Sequence, residues 1–69
     1  MMEKLKALID AKFATRADFA EELEVDPSTL SRMLQKGLWK ADKIEKAVKI
    51  LGIKPKEIPL YFFPDNKAD

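Results

Sequence analysis

The sequence predicts an all-α fold, a compact single domain of four to five helices. Apolar residues recur at three- and four-residue spacing in four segments, as in helices with one buried face, and no segment alternates as a strand does. Proline, glycine and capping residues separate these segments. With 69 residues, of which 46% are hydrophobic, the chain has room for one small core. We expect one domain over residues 1–64 and a polar tail over residues 65–69.

The first two helices are predicted from apolar spacing and one capping signal. Helix 1 is expected over residues 3–13 and helix 2 from Arg16 to about Leu23. Thr15, followed three residues later by Asp18, is typical of a helix N-cap. The residues expected to face the core are Leu5, Leu8, Ile9, Phe13, Phe19, Ala20 and Leu23.

Helices 3 and 4 are bounded by clearer signals. Asp26 is a favourable N-cap and Pro27 suits the first helical position, so helix 3 is predicted from Pro27 to about Lys36. Asp42 is predicted to cap helix 4. Gly37 and Gly52 are expected to end the two helices in the left-handed conformation. The inward residues are Leu30, Met33, Leu34, Ile44, Ala47, Val48 and Leu51.

The segment after Gly52 is predicted as one short helical turn over residues 54–58, interrupted by Pro59. The apolar residues that follow are Leu60, Tyr61, Phe62 and Phe63. They form either a lid over helices 1 and 4 or an exposed dimer patch. We favour the lid, with dimerisation partly through the same strip. Trp39 is interpreted as a core plug, the alternative being a stacking platform.

Charge is distributed unevenly along the chain, although the net charge is only +1. Residues 1–26 carry four basic and seven acidic side chains, whereas residues 27–56 carry eight basic and two acidic ones. The positive field is therefore concentrated in one stretch, which favours an anionic partner.

Cysteine and histidine are both absent. Their absence excludes disulfides, imidazole catalysis and almost every structural zinc site. We therefore expect no enzyme, no metal, no cofactor and no small-molecule ligand. No apolar run approaches the length of a membrane span, so we expect no membrane partner and a cytoplasmic protein.

Helices 2 and 3 are separated by only three residues, which predicts a helix-turn-helix whose second helix enters the major groove of DNA. The outward residues expected to read bases are Ser28, Thr29, Ser31 and Arg32. Arg32 is the leading one, because a guanidinium binds O6 and N7 of guanine together. The alternatives are a solvated helix arginine and, for Ser28 and Thr29, ordinary first-turn residues.

Phosphate contacts are expected from side chains around this unit: Arg16, Gln35, Lys36, Lys40 and Lys43. Lysines and helix N-termini bind backbone phosphates without reading sequence. For Lys46 and Lys49 we favour a solvated lysine face.

Residues 15–32 resemble the helix-turn-helix of the lambda repressor and Cro family, also called XRE-type. Trp39, the helix over residues 44–51 and the strip over residues 60–63 look like short phage and prophage regulators of Gram-positive bacteria. The resemblance implies an all-α domain that binds operator DNA, usually as a dimer. Arg16 stands where the family usually has glutamine, and Glu24 where it favours glycine.

The predicted function is therefore a sequence-specific transcriptional regulator of the Cro or repressor type. It would bind double-stranded DNA, as a homodimer at least on the DNA. The alternative is a protein-interaction module on the same scaffold, such as an antirepressor or antitoxin. The acidic helix 2, with Glu21 and Glu22, would then suit a basic partner.

Overall fold

The computed structural model describes residues 2–63, which fold into five α-helices and one 3-10 turn. The helices are α1 (Glu3–Lys12), α2 (Arg16–Leu23), α3 (Pro27–Lys36), α4 (Ala41–Leu51) and α5 (Ile58–Phe62), with the 3-10 turn at Pro55–Glu57. No strand occurs within residues 2–63. The all-α prediction is confirmed. The predicted polar tail lies outside the described residues.

Helix starts follow the predicted caps in two of three cases. The Thr15 hydroxyl accepts a hydrogen bond from the amide of Asp18 at 3.2 Å. Asp26 is the N-cap of α3, through its backbone carbonyl rather than its side chain, and Pro27 is the first helical residue. The prediction for Asp42 was wrong: α4 begins two residues earlier than a cap at Asp42 would place it, with Lys40 at the N-cap. Asp42 instead lies in the first turn, where an acidic group interacts favourably with the helix dipole.

Two helices end at glycine, as predicted. Gly37 and Gly52 both adopt the left-handed conformation, with φ of 67° and 69°. After each of them the chain folds back: the amide of Gly37 donates to Met33 O, and the amide of Ile53 donates to Val48 O. A residue with a Cβ is disfavoured in this conformation, which explains the glycine at both positions.

The core lies where α1, α2, α3 and α4 meet. Phe13 and Phe19, from the end of α1 and from α2, have ring centroids 5.3 Å apart and help hold these two helices together. Ala20 is fully buried, and its small side chain lets α3 approach α2 closely. Of the predicted inward residues, Leu8, Phe13, Ile44 and Val48 are only partly buried. The fully or nearly fully buried residues are Met2, Leu5, Ile9, Phe19, Ala20, Leu23, Leu30, Met33, Leu34, Ala47, Leu51, Ile53 and Phe62.

Pro59 does not interrupt the C-terminal segment, which corrects the prediction. It lies in the first turn of α5, where a missing amide proton leaves no helical hydrogen bond unmade. The apolar strip is consequently split by helical geometry. Phe62 is buried and Tyr61 partly so, whereas Leu60 and Phe63 remain 53% and 44% exposed.

Within residues 2–63, none of the helices combines the length and the apolar character needed to cross a lipid bilayer.

Candidate nucleic-acid interface

The connection between α2 and α3 is a three-residue turn over residues 24–26. Glu24 adopts a left-handed conformation with φ of 67°. Its amide donates to Ala20 O and Glu21 O, and the amide of Val25 donates to Ala20 O at 3.0 Å. This pattern satisfies the last carbonyls of α2 and redirects the chain into α3.

Glu24 is also tied to α4. Its carboxylate lies 2.7 Å from the Nζ atom of Lys46. The hydrogen bond and charge of Lys46, with a smaller effect from Lys43, lower the pKa of Glu24. Lys46 therefore pairs with the turn. The sequence had instead favoured a solvated lysine face for this residue.

Replacing Glu24 with glycine should leave the melting temperature unchanged or raise it by a few degrees. Glycine removes the strain of a left-handed non-glycine residue, which is on the order of 1 kcal/mol. The lost pair with Lys46 joins two partly exposed side chains and offsets little of that gain. Thermal unfolding measures the change, and Lys46→Met, which removes the pair alone, is the control. A clear fall for Glu24→Gly would contradict the strained turn.

The outward face of α3 is polar. At about 100° per residue, Ser28, Arg32 and Gln35 lie opposite the buried Leu30, and all three are exposed. Ser31 is exposed on one flank. Thr29 lies on the other flank and is half-buried, so it is the least accessible of the four predicted base-reading residues.

Arg32 is exposed, and its side chain forms no hydrogen bond or ion pair with any other residue of the described chain. This differs from Arg16, the other arginine. A long guanidinium with all its donors available on an exposed helix face is suited to bind an external acceptor.

Arg16 is the first residue of α2, and its guanidinium is already held by Asp10 of α1. Nε donates to Oδ1 at 3.0 Å and Nη2 donates to Oδ2 at 2.9 Å. The hydrogen bonds of this pair raise the pKa of Arg16 and lower that of Asp10. Sequence reasoning placed Arg16 at the start of helix 2 correctly but did not find its partner.

Arg16 lines a crevice of about 120 Å³ between α1 and α3. Ser31 and Gln35 lie on the α3 side, and Lys6 of α1 is a second cation. The remaining lining is apolar: Pro27, Leu30 and Leu34. The fold thus brings together three predicted site residues with Lys6, which the sequence analysis missed. No signal in the sequence identified Lys6, because its place beside Arg16, Ser31 and Gln35 depends on how α1 lies against the other helices.

The chain was compared with models of known protein families. Residues 2–65 match the model of a family described as "Protein of unknown function (DUF739)". The chain belongs to the DUF739 family. A comparison with curated proteins gave no match.

In this DUF739 protein the other predicted phosphate contacts lie around the connection from α3 to α4. Lys36 and Lys40 are exposed. Lys43 is half-buried and close enough to Glu24 to lower the pKa of that carboxyl group. Because Glu24 neutralises part of the charge of Lys43, Lys36 and Lys40 are better placed than Lys43 to bind an anion.

Trp39 of the DUF739 protein is packed against the core rather than displayed for stacking. Its ring meets Phe62 edge to face, with centroids 5.0 Å apart and planes at 75°. The indole Nε1 is buried and has no hydrogen-bond partner within residues 2–63. This position agrees with the interpretation of Trp39 as a core plug. The contact with Phe62 links the α3–α4 connection to α5.

Proposed function

We propose that this protein is a sequence-specific DNA-binding transcriptional regulator of the Cro or repressor type. The observation that carries the proposal is the outward face of α3. It presents Arg32 with all its donors available, between Ser28 and Gln35, on a helix that follows α2 after three residues. The resemblance of residues 15–32 to lambda repressor and Cro proteins supports the same function.

In this proposal α3 lies in the major groove. Arg32 donates two hydrogen bonds to a guanine, while Ser28 and Ser31 contact neighbouring base edges or sugars. Arg16, Gln35, Lys36 and Lys40 bind phosphates on either side, with a smaller contribution from Lys43. Thr29 contributes little to base reading because it is half-buried.

Two copies of the domain are proposed to meet through the exposed part of α5, with half-sites about 34 Å apart. Leu60 lies on α5 and Phe63 directly follows its last residue, and both are exposed. Phe62 points into the core instead and serves as the lid.

Replacing Leu60 and Phe63 together by serine should weaken self-association and cooperative binding to a double site, while binding to a single half-site is retained. Both side chains are already about half exposed to water, so the folded monomer should lose less stability than from a substitution in the core. Sedimentation and titration of one-site and two-site duplexes provide the measurement. Leu38→Ser, at the 61% exposed Leu38 in the α3–α4 connection, is the matched control. An unchanged association constant would exclude α5 as the dimer surface.

The decisive test of the function is selection of binding sites from random duplexes. We expect an enriched motif with two related half-sites, and an affinity that falls steeply with salt because several phosphates release counterions. The same selection of binding sites is carried out in parallel with the Arg32→Ala variant. Recovery of no motif, or an affinity that barely depends on salt, would reject DNA binding.

A protein-interaction module, such as an antitoxin or antirepressor, is the second candidate. It is favoured by the outer face of α2, where Asp18, Glu21 and Glu22 are all exposed. A basic protein partner would suit these carboxylates. Random-site selection that fails, together with stoichiometric capture of one basic protein that Glu21→Lys abolishes, would favour this function.

A further inference from the structure

The two cations of the α1–α3 crevice both have carboxylate partners on α1. Asp10 holds Arg16 through two hydrogen bonds, and Glu3 Oε2 lies 3.4 Å from Lys6 Nζ. The side chains of Asp10 and Glu3 are 54% and 78% exposed, so neither is part of the core. Both pairs attenuate the positive charge at the crevice.

The way in which Asp10 binds Arg16 determines what else Arg16 can bind. The carboxylate occupies the Nε–Nη2 edge of the guanidinium, one of the two edges that can make a bidentate contact with a phosphate, and leaves the Nη1–Nη2 edge to other acceptors. A phosphate that approaches Arg16 therefore either displaces Asp10 from this edge or binds the other edge, where the negative charge of Asp10 repels it.

The side chains that line the crevice are suited to bind a phosphate. Lys6 and Arg16 provide positive charge, and Ser31 and Gln35 provide a hydroxyl and an amide from α3. Its volume is about 120 Å³, whereas a cavity needs about 10–15 Å³ to hold one water molecule. An anion here would lie beside α3, next to the face proposed to enter the major groove.

We propose that this crevice binds a backbone phosphate of duplex DNA through Lys6 and Arg16, and that Asp10 competes with the phosphate for Arg16. The inference rests on the proposed function and adds Lys6 as a binding residue and Asp10 as a competitor built into the chain. The affinity for DNA is consequently lower than it would be if Arg16 had no competing carboxylate. Because Arg16 lowers the pKa of Asp10, the competing carboxylate stays ionised at neutral pH.

The test compares binding of the selected duplex by the full chain and by Asp10→Asn, Arg16→Ala and the double variant, at two salt concentrations. Asp10→Asn should tighten binding about threefold to tenfold at low salt and steepen the slope of log K against log salt, by up to about one unit. Arg16→Ala should weaken binding. In the double variant the Asp10 substitution should give no gain, because its effect acts through Arg16.

Lys6→Gln tests the other cation, and should weaken binding equally on all sequences and reduce the salt slope by about one unit. Glu22→Gln, which neutralises an exposed carboxylate of α2, is the charge-matched control for Asp10→Asn. Thermal unfolding checks that each variant is folded, which matters most for Lys6→Gln because the Lys6 side chain is only 21% exposed.

Three results would overturn the inference while leaving the proposed function intact. They are an unchanged affinity for Asp10→Asn, an equal gain in the Arg16→Ala background, and an equal gain for Glu22→Gln. If the wild-type chain binds no duplex, the proposed function and this inference both fail, so the two failures are distinguishable.

Discussion

Replacing Trp39 with alanine should lower the free energy of unfolding by about 3 kcal/mol, the largest stability effect we expect from one substitution in this protein. The substitution removes the ring that packs edge to face on Phe62 and leaves a cavity between the α3–α4 connection and α5. A domain of this size has a total stability of roughly 0.05–0.15 kcal/mol per residue. A loss of 1 kcal/mol lowers the melting temperature of such a small domain by about 4–8 °C, so the loss of about 3 kcal/mol should lower it by roughly 12–24 °C.

The Trp39→Phe variant separates packing from hydrogen bonding. Phenylalanine retains a ring against Phe62 and removes the buried Nε1–H, which has no partner within the described residues. An unsatisfied buried donor costs about 1–3 kcal/mol, so its removal offsets much of the lost surface. We expect Trp39→Phe to be far milder than Trp39→Ala.

The neighbouring Leu38 provides the control for these measurements. It is 61% exposed, so Leu38→Ala should change the unfolding free energy by less than about 0.5 kcal/mol. Chemical denaturation followed by circular dichroism gives all three values. If Trp39→Ala were as mild as Leu38→Ala, the indole would not be a core plug, and a role in stacking on an external group would gain support.

Replacing Arg32 with alanine should remove about 1–3 kcal/mol of base discrimination at one position of each half-site. Site selection should then return a motif that is degenerate at that position and unchanged elsewhere. The unfolding free energy should hardly change, because Arg32 is exposed and its side chain forms no hydrogen bond or ion pair within the described chain.

Two variants of the same helix sharpen this prediction. Arg32→Lys keeps the charge but not the planar fork, so it should retain most of the affinity and lose the preference for guanine. Lys36→Ala should instead weaken binding to all sequences and reduce the salt slope by about one unit. An Arg32→Ala motif identical to that of the wild type would remove Arg32 from base reading.

Local signals in the sequence predict most of the secondary structure. Thr15 at an N-cap, Pro27 at a first helical position and Gly37 at a helix end act over four or five residues, so they can be read without the fold. The two errors, at Asp42 and Pro59, have the same origin. Both residues are compatible with several positions around a helix start, and the packing of the rest of the chain selects one.

The sequence by itself determined the all-α fold, the limits of α2 and α3 and the residues available on the outward face of α3, because helical periodicity is local. Only the tertiary structure decided which charges meet. Asp10 with Arg16, Glu24 with Lys46, and Lys6 beside Ser31 and Gln35 all depend on how α1 and α4 lie against the other helices. Contacts between different helices have no fixed spacing along the chain, so no periodic pattern reveals them. Arg16 was therefore predictable as a cation at the start of α2, and its partner Asp10 was not.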